Sequence, residues 1–183
     1  MTTAVQPFAG TYHADPVHSS FGFGVLYSGT GKFRGTLDDV SATLTAGDDG
    51  VVLAGAARVE SISIREPEMF RAHVLGGEFF DAENHPEVKF RSTKVDLAED
   101  GTARVEGELT IAGTTRSVAA AGTWREPVDA AGGGLRAGLE LATVIDRRDF
   151  GFDWQMELPS GGEALAYDVT LEIDLQLVQR EEG

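Results

Sequence analysis

Polar and apolar residues alternate along most of this chain. From Tyr167 to Leu177 every odd position is apolar or aromatic and every even one polar. The pattern recurs from Val105 to Ile111, from Val51 to Val59 and from Leu135 to Ile145. A period of two buries one face of a strand and wets the other. It predicts eight strands, at roughly 19–27, 32–44, 51–62, 88–97, 102–111, 114–125, 135–146 and 165–178, with a short piece near Phe8–His13 adding to an edge. Ala112-Gly113 and Glu99-Asp100-Gly101 read as tight hairpin turns, and Gly132-Gly133-Gly134 as a looser one. Strands joined by hairpins form an antiparallel meander, and with one apolar face each they lose their edges by closing into a barrel. The expected fold is therefore all-β, one domain over 1–183 with its core at about 8–178. One segment breaks the rhythm. After Pro67, residues Met69, Phe70, His73 and Val74 fall at helical spacing, and Gly76-Gly77 follows. This predicts a short amphipathic helix over 66–75 capping the barrel, then a Phe79-Phe80 corner and a turn at Asp81–Asn84.

Composition narrows the function classes. The chain has 183 residues and is 42% hydrophobic, enough for one real core. With no cysteine, it can hold no disulfide, zinc-thiolate site or cysteine nucleophile. Thirty acidic against 15 basic residues give a net charge of −15, which repels nucleic acid and anionic headgroups. Met1 to Pro7 show neither a basic nor an apolar leader segment, and no apolar run is long enough to span a bilayer. The default expectation is a cytoplasmic protein with no stable membrane insertion.

Several stretches imitate catalytic motifs. Gly29 to Gly35 has GxGxxxG spacing and runs into a strand, so it lacks the helix whose amides would hold a phosphate. Asp149-Phe150-Gly151 stands without any other part of a kinase signature. His13, His18, His73 and His85 form no HxH or HExxH pair, and no GxSxG elbow activates a serine. No metal and no organic cofactor is expected.

The aromatic residues carry more information. Phe21, Phe23, Val25 and Tyr27 share one face of a strand, with Gly22 and Gly24 on the other. Trp124 shares a face with Val118, Ala120 and Gly122, and Phe90 with Val88. These faces form either a packed core or the wall of an apolar cavity, because eight strands is near the size at which both occur. Small residues such as Gly55, Ala57, Gly107 and Ala137 leave volume for either outcome.

Four ordered blocks resemble one family. Asp15-Pro16 with His18 to Val25 is similar to the DPxHSxVxFxV opening of YceI-like proteins. Phe79 to Thr93 resembles their FFDVxxYPxIxFxST block, Gly107 to Val118 their GxLTIxGVTKPV block, and Ile145 to Phe152 their INRxDFGI block. The resemblance spans about 12 to 178. It implies a lipocalin-like antiparallel barrel with a long apolar pocket for a polyisoprenoid or isoprenoid quinone, in proteins that bind rather than catalyse and are often dimeric and often exported. On that reading the ligand-binding residues are Phe21, Phe23, Val25, Tyr27, His73, Phe79, Phe80, Phe90, Trp124, Arg147 and Phe150. His85-Pro86 turns the chain into the next strand, since proline holds the residue before it extended. Arg147 is expected to be anchored by Asp146 and Asp149. Two departures stand out. Tyr27 occupies a position where many relatives have histidine, and Phe70-Arg71 replaces an Arg-Asp pair ahead of His73. Two other function classes compete: an enzyme on a lipid-like substrate, with His73 or His18 as general base and Arg147 binding an anion, and a ligand-free scaffold with a solid core.

Overall fold

The structure, a computed structural model, describes residues 8–179. All its strands belong to one antiparallel sheet. In chain order they are β1 (Gly10–Ala14), β2 (Ser20–Tyr27), β3 (Gly31–Leu37), β4 (Val40–Gly47), β5 (Gly50–Arg58), β6 (Glu87–Leu97), β7 (Thr102–Ile111), β8 (Thr114–Asp129), β9 (Leu135–Asp146) and β10 (Leu165–Gln179). The helix α1 (Glu68–Leu75) lies between β5 and β6.

Ten strands make eight staves. One edge of β10 pairs with β9 along its length, and the other pairs first with β2 and then, at Leu177 and Val178, with β1. So β1 and β2 act as one broken strand, and β3 and β4, which pair with β2 and β1 respectively, act as another. β4 pairs with β5, and neighbours follow in order to β9, which closes an eight-stave barrel.

The strand expected over 32–44 is thus two strands, and the reason is visible in parity. Buried positions are odd in β3 (Gly35, Leu37) and even in β4 (Val40, Ala42, Leu44, Ala46). Asp38 and Asp39 absorb the change. Their amides leave the ladder and donate to Ser61, one to its carbonyl at 3.3 Å and one to its hydroxyl at 2.9 Å. The break between β1 and β2 is built from Asp15, His18 and Ser19. Asp15 accepts from the Val17 amide (2.9 Å) and Arg136 Nη1 (2.9 Å) and meets His18 Nδ1 at 2.8 Å. Ser19 Oγ accepts from the Gln176 amide at 3.1 Å, in place of a backbone carbonyl. These bonds hold Asp15 well below the ordinary carboxylate range, with the His18 bond contributing most.

Other expectations match the structure closely. Ala112 and Gly113 have φ of +48° and +79°, the paired positive values whose twist suits a two-residue hairpin. The His85 ring lies over Gly113, where a Cβ would come within 2.6 Å of it, so His85 packs the capping segment onto that hairpin. Helix α1 begins just after Pro67. Arg71 ties it down by donating to the carbonyls of Glu60, Ile62 and Ile64 at 2.8 to 3.2 Å. Among the described residues no helix is long and apolar enough to cross a membrane.

The two barrel ends differ. At the end holding the β4–β5, β6–β7 and β8–β9 turns, Phe8, Tyr12 and Trp124 pack together, with ring centroids 5.1 Å and 6.2 Å apart from Phe8. The opposite end is covered by residues 59–86, including α1, and by 147–164.

Candidate functional site

A cavity of about 510 Å³ fills the covered end of the barrel. β2 supplies Phe21, Phe23, Val25 and Tyr27, the single face that alternation assigned to them. α1 and its following turns add Phe70, His73, Phe79 and Phe80. Segment 147–154 adds Arg147, Phe150, Phe152 and Trp154. The rings meet mainly edge-on: Phe79 and Phe80 stand at 87° and 88° to Phe152, with centroids 5.9 and 5.3 Å away. Phe80 also faces Phe23 at 6.4 Å. Edge-to-face packing fixes a cage of aromatics without collapsing it.

A second, smaller chamber of about 90 Å³ lies deeper. Its wall includes Ala42, Gly55, Ala57, Phe90, Ala120 and Ile173. The two chambers share Phe21, Val88 and Leu171, so they adjoin at that level. Both chambers are kept clear by a phenylalanine ring lying against a glycine, Phe90 in the deep one and Phe23 in the outer one. A Cβ on Gly107 would sit 2.5 Å from Cζ of Phe90, and one on Gly35 would sit 2.5 Å from Cζ of Phe23. Each ring occupies the space a neighbour's side chain would take, and the lumen is left clear.

Ten of the eleven expected residues line one chamber or the other, Phe90 the deep one. Trp124 does not. It is 5% exposed at the closed end, its Nε1–H donates to the Ala98 carbonyl at 2.8 Å, and its ring packs on Phe8. Alternation placed it on the inward face correctly, but that face at that depth is the floor. Phe33, Phe152 and Trp154 are wall residues that the sequence reading passed over. Phe152 and Trp154 continue the spacing of two from Phe150, and Phe33 stands two before Gly35, so a signal was present.

Arg147 is 3% exposed and ion-pairs with neither Asp146 nor Asp149. Asp146 pairs instead with Arg148, at 2.7 Å, and the Arg148 bonds pull its carboxylate down to about 2. Arg147 donates to four backbone carbonyls: Phe152 (2.5 Å), Trp154 (2.8 Å), Ala166 (2.9 Å) and Leu165 (3.0 Å). Its guanidinium also lies 4.6 Å from the Tyr167 ring centroid. Burial lowers its pKa, yet arginine stays charged and cannot act as a general base. Its role is to hold the 147–154 segment against β10.

The polar groups at the mouth are few. His73 Nε2 lies 2.6 Å from Glu78 Oε2, and its ring stands edge-on to Phe79 and Trp154. Tyr27 is 48% exposed at the rim. Phe70, where the family pattern has a charge, packs on Phe33 at 5.5 Å. His18 belongs to the β1–β2 break, outside both chambers. Among the described residues, no three His, Asp or Glu side chains gather in a way that could hold a metal.

Known proteins share this architecture. A UPF0312 protein of Pseudomonas putida strain W619 is 28% identical over 156 residues, covering 82% of this chain and 81% of that protein. One from Pseudomonas fluorescens is 31% identical over 165 residues, covering 81% and 79%. Among solved structures, Burkholderia cenocepacia BcnA superposes with a TM-score of 0.70 at 18% identity, over 91% of this chain and 99% of that one. A polyisoprenoid binding domain from Saccharophagus degradans, implicated in plant cell wall breakdown, superposes with a TM-score of 0.65 at 11% identity, over 91% and 97%. At such identities the two structural likenesses speak for the fold. The YceI-like domain, as a family, matches residues 12–177, and on that match this chain belongs to the YceI-like family.

Proposed function

We propose that the protein binds the tail of a long apolar amphiphile, a polyisoprenoid or isoprenoid quinone, inside the barrel, and carries or sequesters it without chemical change. The observation that supports this most is the 510 Å³ chamber, walled by aromatic rings and opening at a rim with few polar groups. The polyisoprenoid binding of the Saccharophagus domain, which has the same fold, points the same way. A tail that buries about twenty methylene-sized groups gains about 16 kcal/mol at about 0.8 each. After about 8 kcal/mol for lost freedom on association, the remainder corresponds to binding near micromolar. A dry tunnel is therefore sufficient without a strong polar anchor. Tyr27 and the His73–Glu78 pair stand where a polar head would emerge. The homodimer that the family resemblance implies belongs to the same proposal, and sedimentation would test it.

The test is direct. Mass spectrometry of an organic extract of the purified protein should reveal a co-purifying isoprenoid, and stripped protein should take up a fluorescent prenol stoichiometrically. Clean extracts together with no uptake would remove the reading in favour of a ligand-free scaffold.

A second reading rests on the His73–Glu78 pair, since a carboxylate oriented on an imidazole at a cavity wall is the geometry of a general base. It requires a bound lipid to be chemically altered. If lipid recovered from wild type and from His73→Gln is identical, the catalytic reading falls.

A further inference from the structure

The chamber that would hold a tail is divided. At the level of Phe21, Val88 and Leu171 the outer space gives way to the inner one, and these three residues alone border both. Two of the three are aliphatic. Phe21 is the only aromatic ring at the junction, and its strand neighbours explain why it stays there. Phe23 has Gly35 opposite it on β3, and its ring uses that gap. Phe90 uses the gap at Gly107. Phe21 pairs with Leu37 on β3 and Ile173 on β10, both bulky, and no glycine has Phe21 among the atoms nearest its Cβ position. With both flanks filled, the ring has no recess and remains at the throat.

Depth follows from order along β2. Tyr27 lies at the rim, and Phe21 is six residues further in, about 20 Å along a strand. A tail entering at the mouth therefore meets Phe21 before it reaches the inner chamber lined by Ala42, Ala57 and Ala120.

From this geometry we infer that Phe21 limits tail length, by closing the inner chamber to tails that fill the outer one. The inference rests on the binding function proposed above. In the wild type, affinity should rise with prenol length only until the outer chamber is full. Removing the ring should join the chambers and let longer tails continue to gain.

The experiment compares wild type, Phe21→Ala and Phe21→Leu against farnesol, geranylgeraniol and solanesol, by displacement of a fluorescent prenol. Melting temperatures are taken on the same samples. Phe21→Ala should bind solanesol at least about tenfold tighter than wild type does, the return on about two further buried methylenes, whereas farnesol, too short to enter the inner chamber, should gain nothing. Phe21→Leu, which keeps more bulk and guards against a folding failure of the alanine variant, should give a smaller gain with the same length dependence. Adding Ala120→Leu, which fills the inner chamber from the opposite wall, should cancel the gain. Equal changes at every length, or none in a wild type that binds prenols, would overturn the inference while leaving the binding function standing. A wild type that binds no prenol of any length would remove both.

Discussion

Aromatic side chains crowd both ends of this barrel, and only one end is hollow. At the closed end Tyr12 and Trp124 both pack on Phe8, and all three are almost wholly buried. The one polar atom of the tryptophan is satisfied by Ala98. At the covered end many more rings stand around a void, several of them edge-on, held from behind rather than by filling it. Phe23 rests in the gap over Gly35, Phe90 in that over Gly107, and the loop carrying Phe152 and Trp154 hangs on Arg147. The same residue type makes a floor where rings are backed by rings, and a wall where they are backed by glycine or by a buried cation.

That contrast can be broken most severely at Arg147. Arg147→Ala would take the guanidinium from four carbonyls, of which Leu165 keeps Gln155 Nε2 as a donor, and leave a buried gap behind the loop, a loss of about 3–5 kcal/mol. Urea unfolding should show the loss, and prenol uptake should fall with it because the wall comes away. If both stability and uptake survived, the anchoring role would be wrong.

Trp124→Ala should cost about 3–4 kcal/mol through the cavity it leaves, at the floor alone; the Ala98 carbonyl keeps the Gly101 amide as a donor at 3.0 Å. Prenol affinity, measured at a temperature where the variant is folded, should change less than about threefold. A large loss of affinity with little loss of stability would return Trp124 to the ligand site.

Gly107→Ala sharpens the wall side. Its Cβ would collide with the Phe90 ring and the Arg91 carbonyl, so the expected cost is about 1–3 kcal/mol of overpacking. Prenol capacity should fall as Phe90 swings into the inner chamber. A crystal structure with Phe90 unmoved and the lumen unchanged would show that the glycine is not what holds it open.

The smallest effect concerns neither end but the break between β1 and β2 that both share. Asp15 is depressed in the folded state, so it stabilises fully above its unfolded value of 3.8 and progressively less as pH falls below it. Asp15→Asn should lower the melting temperature at neutral pH and flatten its fall below about pH 4. An unchanged acid profile would mean that the His18 and Arg136 contacts contribute nothing measurable.

Alternation of polar and apolar residues was enough to show most of the strands and the aromatic face of β2, because side chains on a strand must point to one side or the other. The hairpin turns gave the antiparallel order, and the break between β3 and β4 was missed. Pro67 with helical spacing located α1, and Ala112-Gly113 located a hairpin, since both are local matters of backbone preference. Four ordered blocks identified the family. Depth was not legible. Trp124 and Phe21 both point inward, yet one is floor and the other throat, and a period of two carries no coordinate along the barrel axis. The partners of Arg147 were equally hidden: nearby aspartates offered themselves in sequence, while the carbonyls that hold it come from β10 and the far side of a turn. Hollowness itself belongs to tertiary structure. It depends on whether a glycine lies beside a given ring, and for Phe90 that glycine, Gly107, is on a different strand, brought alongside only by the register of β6 on β7.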